Sequence, residues 1–405
     1  MTYKTMKSTQ DSLSILGYGC LRFPHKGGRI DEALTEQQIN LAIQQGINYF
    51  DTGYIYANSE KVLGKILSKG LREKVFIATK MPHQMVRNRK DMDHIFEKQL
   101  ERLQTDYIDY YLIHNITSFA DWETICEKGV RDFYQKEKDA GRIRHIGFSY
   151  HGNSKDFIKI VDAYPWEICQ IQYNYLDEHY QAGKAGLEYA ARKGLGVVIM
   201  EPLRGGLLGE KMPGKVKVIF RTKNPQKKPA ESALRWLWNH PEIDVVLSGM
   251  NREVHIEENC EAAVQFEQIP VTREEFAAIE SAKKVFQERM NVLCTSCAYC
   301  MPCPNGVDIP TCFSWYNTYA LKKNLSSVIH YTLASNGMIN GKPSGANLCT
   351  ACGACVKRCP QQIDIPRKLK EAADTMEKRY ISIPMRLVIR LIHPARSRRD
   401  KTKRF

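Results

Sequence analysis

One pattern limits what this chain can fold into more than any other: eight short apolar stretches, each followed by a stretch of amphipathic-helix period. The apolar stretches lie at residues 15–20, 47–52, 75–80, 108–114, 145–149, 168–173, 195–202 and 245–249. The helical ones lie at 36–45, 59–68, 92–103, 120–140, 155–163, 183–193, 230–239 and 254–267. Strand–helix alternation implies a parallel sheet, because a helix is the usual crossover between parallel strands. Eight units in about 255 residues fit a closed (β/α)8 barrel, the TIM barrel of the α/β class. An open doubly wound sheet is the alternative. It is disfavoured because no G-x-G-x-x-G follows the first strand. Gly205 and Gly206, with Gly209, follow the seventh strand and read as a loop before they read as a phosphate cradle.

In such a barrel, chemistry sits at the C-terminal ends of the strands. Asp51 ends the second strand and Tyr56 follows it. Lys80 ends the third, His114 the fourth, Ser149 the fifth and Glu201 the seventh, with Gln170 and Asn174 on the sixth. A tyrosine is a weak base but a usable proton donor, and a neighbouring ammonium favours its phenolate and lowers its pKa. Asp51 is the nearest anion to hold Lys80, and His114 can hydrogen-bond a substrate oxygen. Such a set donates a proton to an oxygen gaining charge, as a carbonyl requires when hydride reaches its carbon. Taken singly, each residue reads as well as a loop salt bridge or a structural histidine. Spacing alone leaves the two readings level.

The stretch Phe50-Asp51-Thr52-Gly53-Tyr54-Ile55-Tyr56-Ala57-Asn58-Ser59-Glu60 resembles the signature of the aldo/keto reductase superfamily. So do Val75-Phe76-Ile77-Ala78-Thr79-Lys80 and Asp109-Tyr110-Tyr111-Leu112-Ile113-His114. The resemblance runs from about Leu13 to Asn259. It implies Tyr56 as general acid, tuned by Lys80 and Asp51, with His114 orienting the carbonyl and NAD(P)H across the barrel mouth. The dinucleotide contacts it implies are Ser149, Gln170, Arg204, Gly249 and Asn259. Gly249 and His255 stand where many NADPH-dependent members carry a lysine and an arginine on the 2′-phosphate. Met200 stands where an aromatic stacks on the nicotinamide. Arg252, Lys223, Lys227 and Lys228 are the candidate replacements for the missing cations.

Composition shifts sharply near residue 290. Residues 1–290 hold 41 basic and 39 acidic side chains, residues 291–405 hold 18 and 6, and nine of the 13 cysteines fall between 294 and 359. The chain has no run long and apolar enough to span a bilayer and no apolar N-terminal leader, so a cytoplasmic, reducing location is expected. There, cysteines at this density imply metal or redox chemistry. Cys294, Cys297, Cys300 and Cys303-Pro304 form one run; Cys349, Cys352, Cys355 and Cys359-Pro360 form another. The second has the bacterial ferredoxin spacing, in which three cysteines bind one cubane and the fourth, before proline, binds the other. Zinc sites more often use two separated C-x2-C pairs. Two [4Fe-4S] clusters are expected. A single cluster, with the first run partly free, is the alternative. Cys312, beside Phe313, reads as an apolar filler.

The spacing of the runs resembles the α-helical dicluster ferredoxin module of respiratory iron–sulfur subunits. Thr272-x-x-Glu275 is a capping box that opens a linking helix. The expected organisation is a barrel over 1–270, a linking helix over 271–290, a mainly α-helical iron–sulfur domain over 291–380 and a basic tail over 381–405. That tail reads as a packed helix with a solvated basic end before it reads as a lipid-surface helix. Its charge suits an acidic electron carrier of ferredoxin type, and no motif supports specific nucleic-acid binding.

The leading reading is an oxidoreductase transferring hydride between a nicotinamide and a carbonyl or alcohol substrate, with clusters attached. The alternatives are a flavin- or ferredoxin-coupled enzyme fed through the clusters, and a non-catalytic nucleotide-sensing barrel.

Overall fold

The structure is a computed structural model that describes residues 1–294, 299–323, 325–336, 343–359 and 361–377. Cys297 and the basic tail lie outside the described residues. Contacts divide the chain into two compact units, one ending at Ser281 and the next beginning at Ala282.

The first unit is a closed barrel of eight strands: β1 (Leu16–Gly19), β2 (Tyr49–Asp51), β3 (Phe76–Pro82), β4 (Ile108–Ile116), β5 (Ile143–Tyr150), β6 (Ile168–Gln172), β7 (Gly196–Met200) and β8 (Val245–Ser248). All neighbours are parallel, and β8 returns to pair with β1. Inward residues of alternate pleats fill the interior, among them Tyr49, Ala78, Tyr110, Leu112, Ile168, Val198, Val245 and Leu247. The barrel is therefore a packed core and not a pore. An N-terminal hairpin, Tyr3–Thr5 with Ser12–Ser14, brings Met6 and Leu13 against that core. Gly196 allows this closure, since a Cβ there would lie 2.2 Å from the Met6 sulfur.

The crossover helices are α1 (Glu32–Gln44), α2 (Ser59–Leu67), α3 (Arg89–Leu103), α4 (Phe119–Glu127), α5 (Val130–Asp139), α6 (Ser154–Ala163), α7 (Gly183–Arg192), α8 (Gly214–Lys223), α9 (Pro229–Trp238) and α10 (Glu253–Gln268). Two differ from the sequence expectation. The single helix expected at 120–140 is two, broken at Gly129, whose φ of +88° no helix interior accepts. No helix is expected between 193 and 230, yet α8 forms there and buries Val216 and Phe220, one turn apart.

Helix α11 (Arg273–Arg289) opens on the expected capping box. Glu275 N–H donates to Thr272 Oγ1 at 3.3 Å, and Thr272 N–H to Glu275 Oε2 at 3.0 Å. The Glu275 carboxylate also receives Arg235 Nε–H from α9 at 2.8 Å, with both side chains buried, which fastens the start of α11 to the barrel.

The second unit contains α12 (Ile309–Lys322), α13 (Leu325–Ser335) and α14 (Ile365–Met376) around a core that includes Phe313, Tyr331, Ile365 and Leu369. Asp308 and Asp364 cap α12 and α14, each followed by Ile and Pro. Among the described residues, no helix is long and apolar enough to cross a membrane.

Candidate active site and cluster ligands

The strand ends bring four of the expected residues together. Lys80 Nζ donates to both oxygens of Asp51 at 2.7 Å and to the Thr52 carbonyl at 2.6 Å, matching its three N–H groups. The ammonium lies 5.0 Å from the centre of the Tyr56 ring. On the ring's edge stands His114, with centroids 5.5 Å apart and planes at 79°. Gln170 Nε2–H donates to Asp51 Oδ2 at 3.0 Å across the barrel. A second layer supports Lys80. Gln99 of α3 donates to the Lys80 carbonyl, to Thr79 Oγ1 and to buried Glu60, whose other oxygen holds Arg102 at 3.0 Å. Sequence reasoning did not single out Gln99 or Arg102; they lie on a helix whose apolar period gives no hint of a polar cluster behind it.

The electrostatics differ from expectation at Tyr56. Burial, then the charges of Asp51, Cys20 and Glu201, push its phenol well above the ordinary value. The ammonium expected to lower it is neutralised by Asp51. Burial raises the Asp51 carboxyl too, opposed by the charge of Lys80 and by the hydrogen bonds from Lys80 and Gln170. Burial, then the charges of Lys80, His151 and His83, hold His114 well below the ordinary imidazole value. The site therefore presents a protonated phenol beside a neutral imidazole.

The expected dinucleotide contacts fall into two groups. Gln170 Oε1 and His114 Nδ1 are buried at the mouth with no hydrogen-bond partner among the described residues. A nicotinamide carboxamide has the N–H that such an acceptor lacks, so Gln170 fits that group. Ser149 lies opposite Gln170 in the register, and its Oγ accepts Asn115 N–H at 2.8 Å. Asn259 donates to Ser248 Oγ at 3.2 Å. Arg204 has a φ of +48°, is 4% exposed, and holds its Nε 3.0 Å from buried Asp177. Met200 packs against the barrel core. The four candidate cations are all engaged, Arg252 with Glu210, Lys223 with Ser281, Lys227 with Glu231 and Lys228 with Glu258; His255 also lies against Glu210. Gly249 carries no side chain, and Arg22 occupies the space in front of it.

Glu201, just past β7 at φ +56°, has a buried Oε2 without a hydrogen-bond partner. Burial, then the charge of Asp177, raise its carboxyl to about 7, against the pull of Arg204 and Arg22. An acid raised by folding loses stability as pH climbs from its unfolded value, 4.5, through its folded one. The thermal midpoint of the wild type is expected to fall across that window and to level above it. Glu201→Gln is expected to flatten the fall; superimposable midpoint–pH curves for the two proteins would show that the carboxyl is not strained.

In the second unit, Cys294, Cys300, Cys303, Cys349 and Cys359 pack against the helical core and Cys355 is buried within it. Burial, then the charges of Cys349, Cys303 and Cys352, raise the Cys355 thiol. A residue of the first run therefore stands among those of the second. Asn305 ties the runs further, donating to Thr350 Oγ1 at 2.8 Å and to Cys352 Sγ at 3.8 Å. Among the described residues no three ligands converge on a single ion. A donor set of soft thiolates suits a cubane, where each sulfur meets a different iron. Cys312 is an apolar filler as expected, 1% exposed on α12, receiving the Tyr331 hydroxyl at 3.8 Å. One signal went unread in the sequence. Cys303-Pro304-Asn305-Gly306-Val307-Asp308-Ile309-Pro310 and Cys359-Pro360-Gln361-Gln362-Ile363-Asp364-Ile365-Pro366 are an internal repeat, each carrying the Asp that caps the helix after it.

A closed parallel barrel with this tyrosine, lysine, aspartate and histidine at its mouth, joined to a cysteine-rich helical domain, defines an oxidoreductase with an iron–sulfur appendage. The chain belongs to the aldo/keto reductase family, which residues 15–284 match, and residues 293–363 match a 4Fe-4S dicluster domain. It is 29% identical over 307 residues to L-galactose dehydrogenase of Arabidopsis thaliana, covering 69% of this chain and 93% of that protein. It is 37% identical over 113 residues to methylglyoxal reductase YeaE of Escherichia coli, covering 27% of this chain and 37% of the relative. The holo form of aldo-keto reductase AKR11C1 from Bacillus halodurans superposes with a TM-score of 0.59 at 24% identity, over 70% of this chain and 96% of that one. An aldo-keto reductase from Klebsiella pneumoniae in complex with NADPH gives 0.57 at 22%, over 69% and 95%. Likeness at that level shows the fold.

Proposed function

We propose that the chain is a nicotinamide-dependent carbonyl reductase or alcohol dehydrogenase. The observation that carries this is the buried Lys80–Asp51 pair beneath a protonated Tyr56, with neutral His114 at the ring edge. A bound NAD(P)H supplies the hydride that a carbonyl carbon accepts. As charge grows on the carbonyl oxygen, the Tyr56 hydroxyl gives its proton there. The phenolate left behind is stabilised by the Lys80 ammonium beneath the ring, and Asp51 keeps that ammonium in place. His114 orients the carbonyl, and Gln170 holds the nicotinamide through its unpartnered Oε1.

The cysteine runs fit two [4Fe-4S] clusters, which supply one-electron transfer. A nicotinamide moves two electrons together, so this reading gives the clusters an external one-electron carrier. Cys352 is exposed, and Lys357 and Arg358 on the following turn are exposed as well. That collar suits an acidic carrier.

The test is a spectrum and a titration on anaerobically purified protein. Broad cluster absorption without flavin peaks, together with binding of NADH or NADPH, is expected. Flavin peaks with no dinucleotide binding would replace this reading with a flavin-linked one.

A further inference from the structure

(β/α)8 barrels frequently hold a phosphate between the loops that follow their seventh and eighth strands. In this barrel each of those loops presents a glycine, Gly205 after β7 and Gly249 after β8, and one residue faces both. Arg22 comes from the turn after β1. Its Cβ, Cγ and Cδ would lie 3.0–3.4 Å from a Cβ at Gly249, and its Nη2 3.4 Å from a Cβ at Gly205. Arg22 is exposed, and no hydrogen bond or ion pair engages its guanidinium among the described residues. Lys211 packs its stem against Gly206 in the loop after β7, while three other cations of this rim are committed. Arg252 and His255 share the Glu210 carboxylate, so a phosphate placed at the start of α10 would meet that anion beside them. Arg204 is buried on Asp177. Arg22 also lies within charge range of Glu201, and Glu201 within charge range of Tyr56, which puts the guanidinium toward the reacting end of the mouth.

We propose that Arg22 binds the pyrophosphate of the nicotinamide dinucleotide, so that the grip is independent of a 2′-phosphate. The assignment rests on the nicotinamide reading above. It replaces a cation from the loop after β8 with one from the loop after β1, whose side chain fills the space Gly249 leaves. A fork of N–H donors between two glycines suits a bidentate phosphate contact. It also implies that NADH and NADPH bind with affinities within a few-fold of each other.

Anaerobic calorimetric titration of the full chain with each dinucleotide tests this. Arg22→Ala is expected to weaken NADH and NADPH by the same factor, about 10–100-fold. Arg22→Lys, which keeps the charge and loses the fork, is expected to recover part of that loss for both. Arg22→Ala with unchanged affinities would overturn the assignment, and so would a loss confined to NADPH, which would put Arg22 on the 2′-phosphate. If Arg22→Ala behaves as wild type while the wild type binds well, only this assignment falls. If the wild type binds neither dinucleotide, the nicotinamide reading falls and takes the assignment with it.

Discussion

Tyr56→Phe is expected to lower turnover about 10²–10⁴-fold while leaving dinucleotide affinity unchanged. The size follows from the scarcity of other proton donors. Lys80 commits all three N–H groups to Asp51 and Thr52, and releasing one would strand a buried carboxylate. His114 is held neutral by burial and by Lys80, so it offers at most a hydrogen bond. Tyr56 itself is kept protonated, so the wild-type reduction rate is expected to persist to alkaline pH. Glu201 is the remaining acid. Its carboxyl, raised to about 7, could protonate a substrate oxygen in the variant below that pH. Residual activity of Tyr56→Phe that falls as pH passes 7 would identify that route. A loss smaller than about tenfold at pH 8 would mean that the proton does not come from Tyr56.

The barrel was legible because each unit states itself locally. A buried parallel strand is a near-continuous apolar run and needs only its neighbours' spacing to be recognised, as in residues 196–200. The helix break at Gly129 was not, because a glycine inside an amphipathic period is compatible with a continuous helix until its φ is known. At the site, the residues at strand ends were readable because barrel topology brings every strand end to one mouth. Arg22 was not readable. It belongs to the site only because a residue 227 positions later, Gly249, has no side chain, and no local pattern carries that relation. The tuning of Tyr56 was misjudged for a related reason. A lysine's effect on a neighbour depends on whether its charge is already matched, and Lys80 is matched by Asp51.

The two cysteine runs are expected to share their clusters crosswise, and a pair of double variants separates this from closure within each run. The wild type is expected to hold about eight iron and eight acid-labile sulfide per chain. Cys303, Cys349 and Cys352 stand close enough to Cys355 for their charges to act on it, and Asn305 fastens the first run to Thr350 and Cys352. The reciprocal set is Cys294 and Cys300 with Cys359, and Cys297 is their partner by spacing. If the sets are crossed, Cys303→Ala with Cys349→Ala removes two ligands from one cluster, and about four iron remain. Cys359→Ala with Cys349→Ala then strikes both clusters, and iron falls toward zero. Closure within each run predicts the reverse: the first pair would strike both clusters and the second only one. Iron and sulfide analysis, with electron paramagnetic resonance of the reduced proteins, reads the difference. Cys303, Cys349 and Cys359 all lie outside the Asp308 and Asp364 caps and the helices they open, so retained helicity by circular dichroism separates lost ligation from lost folding.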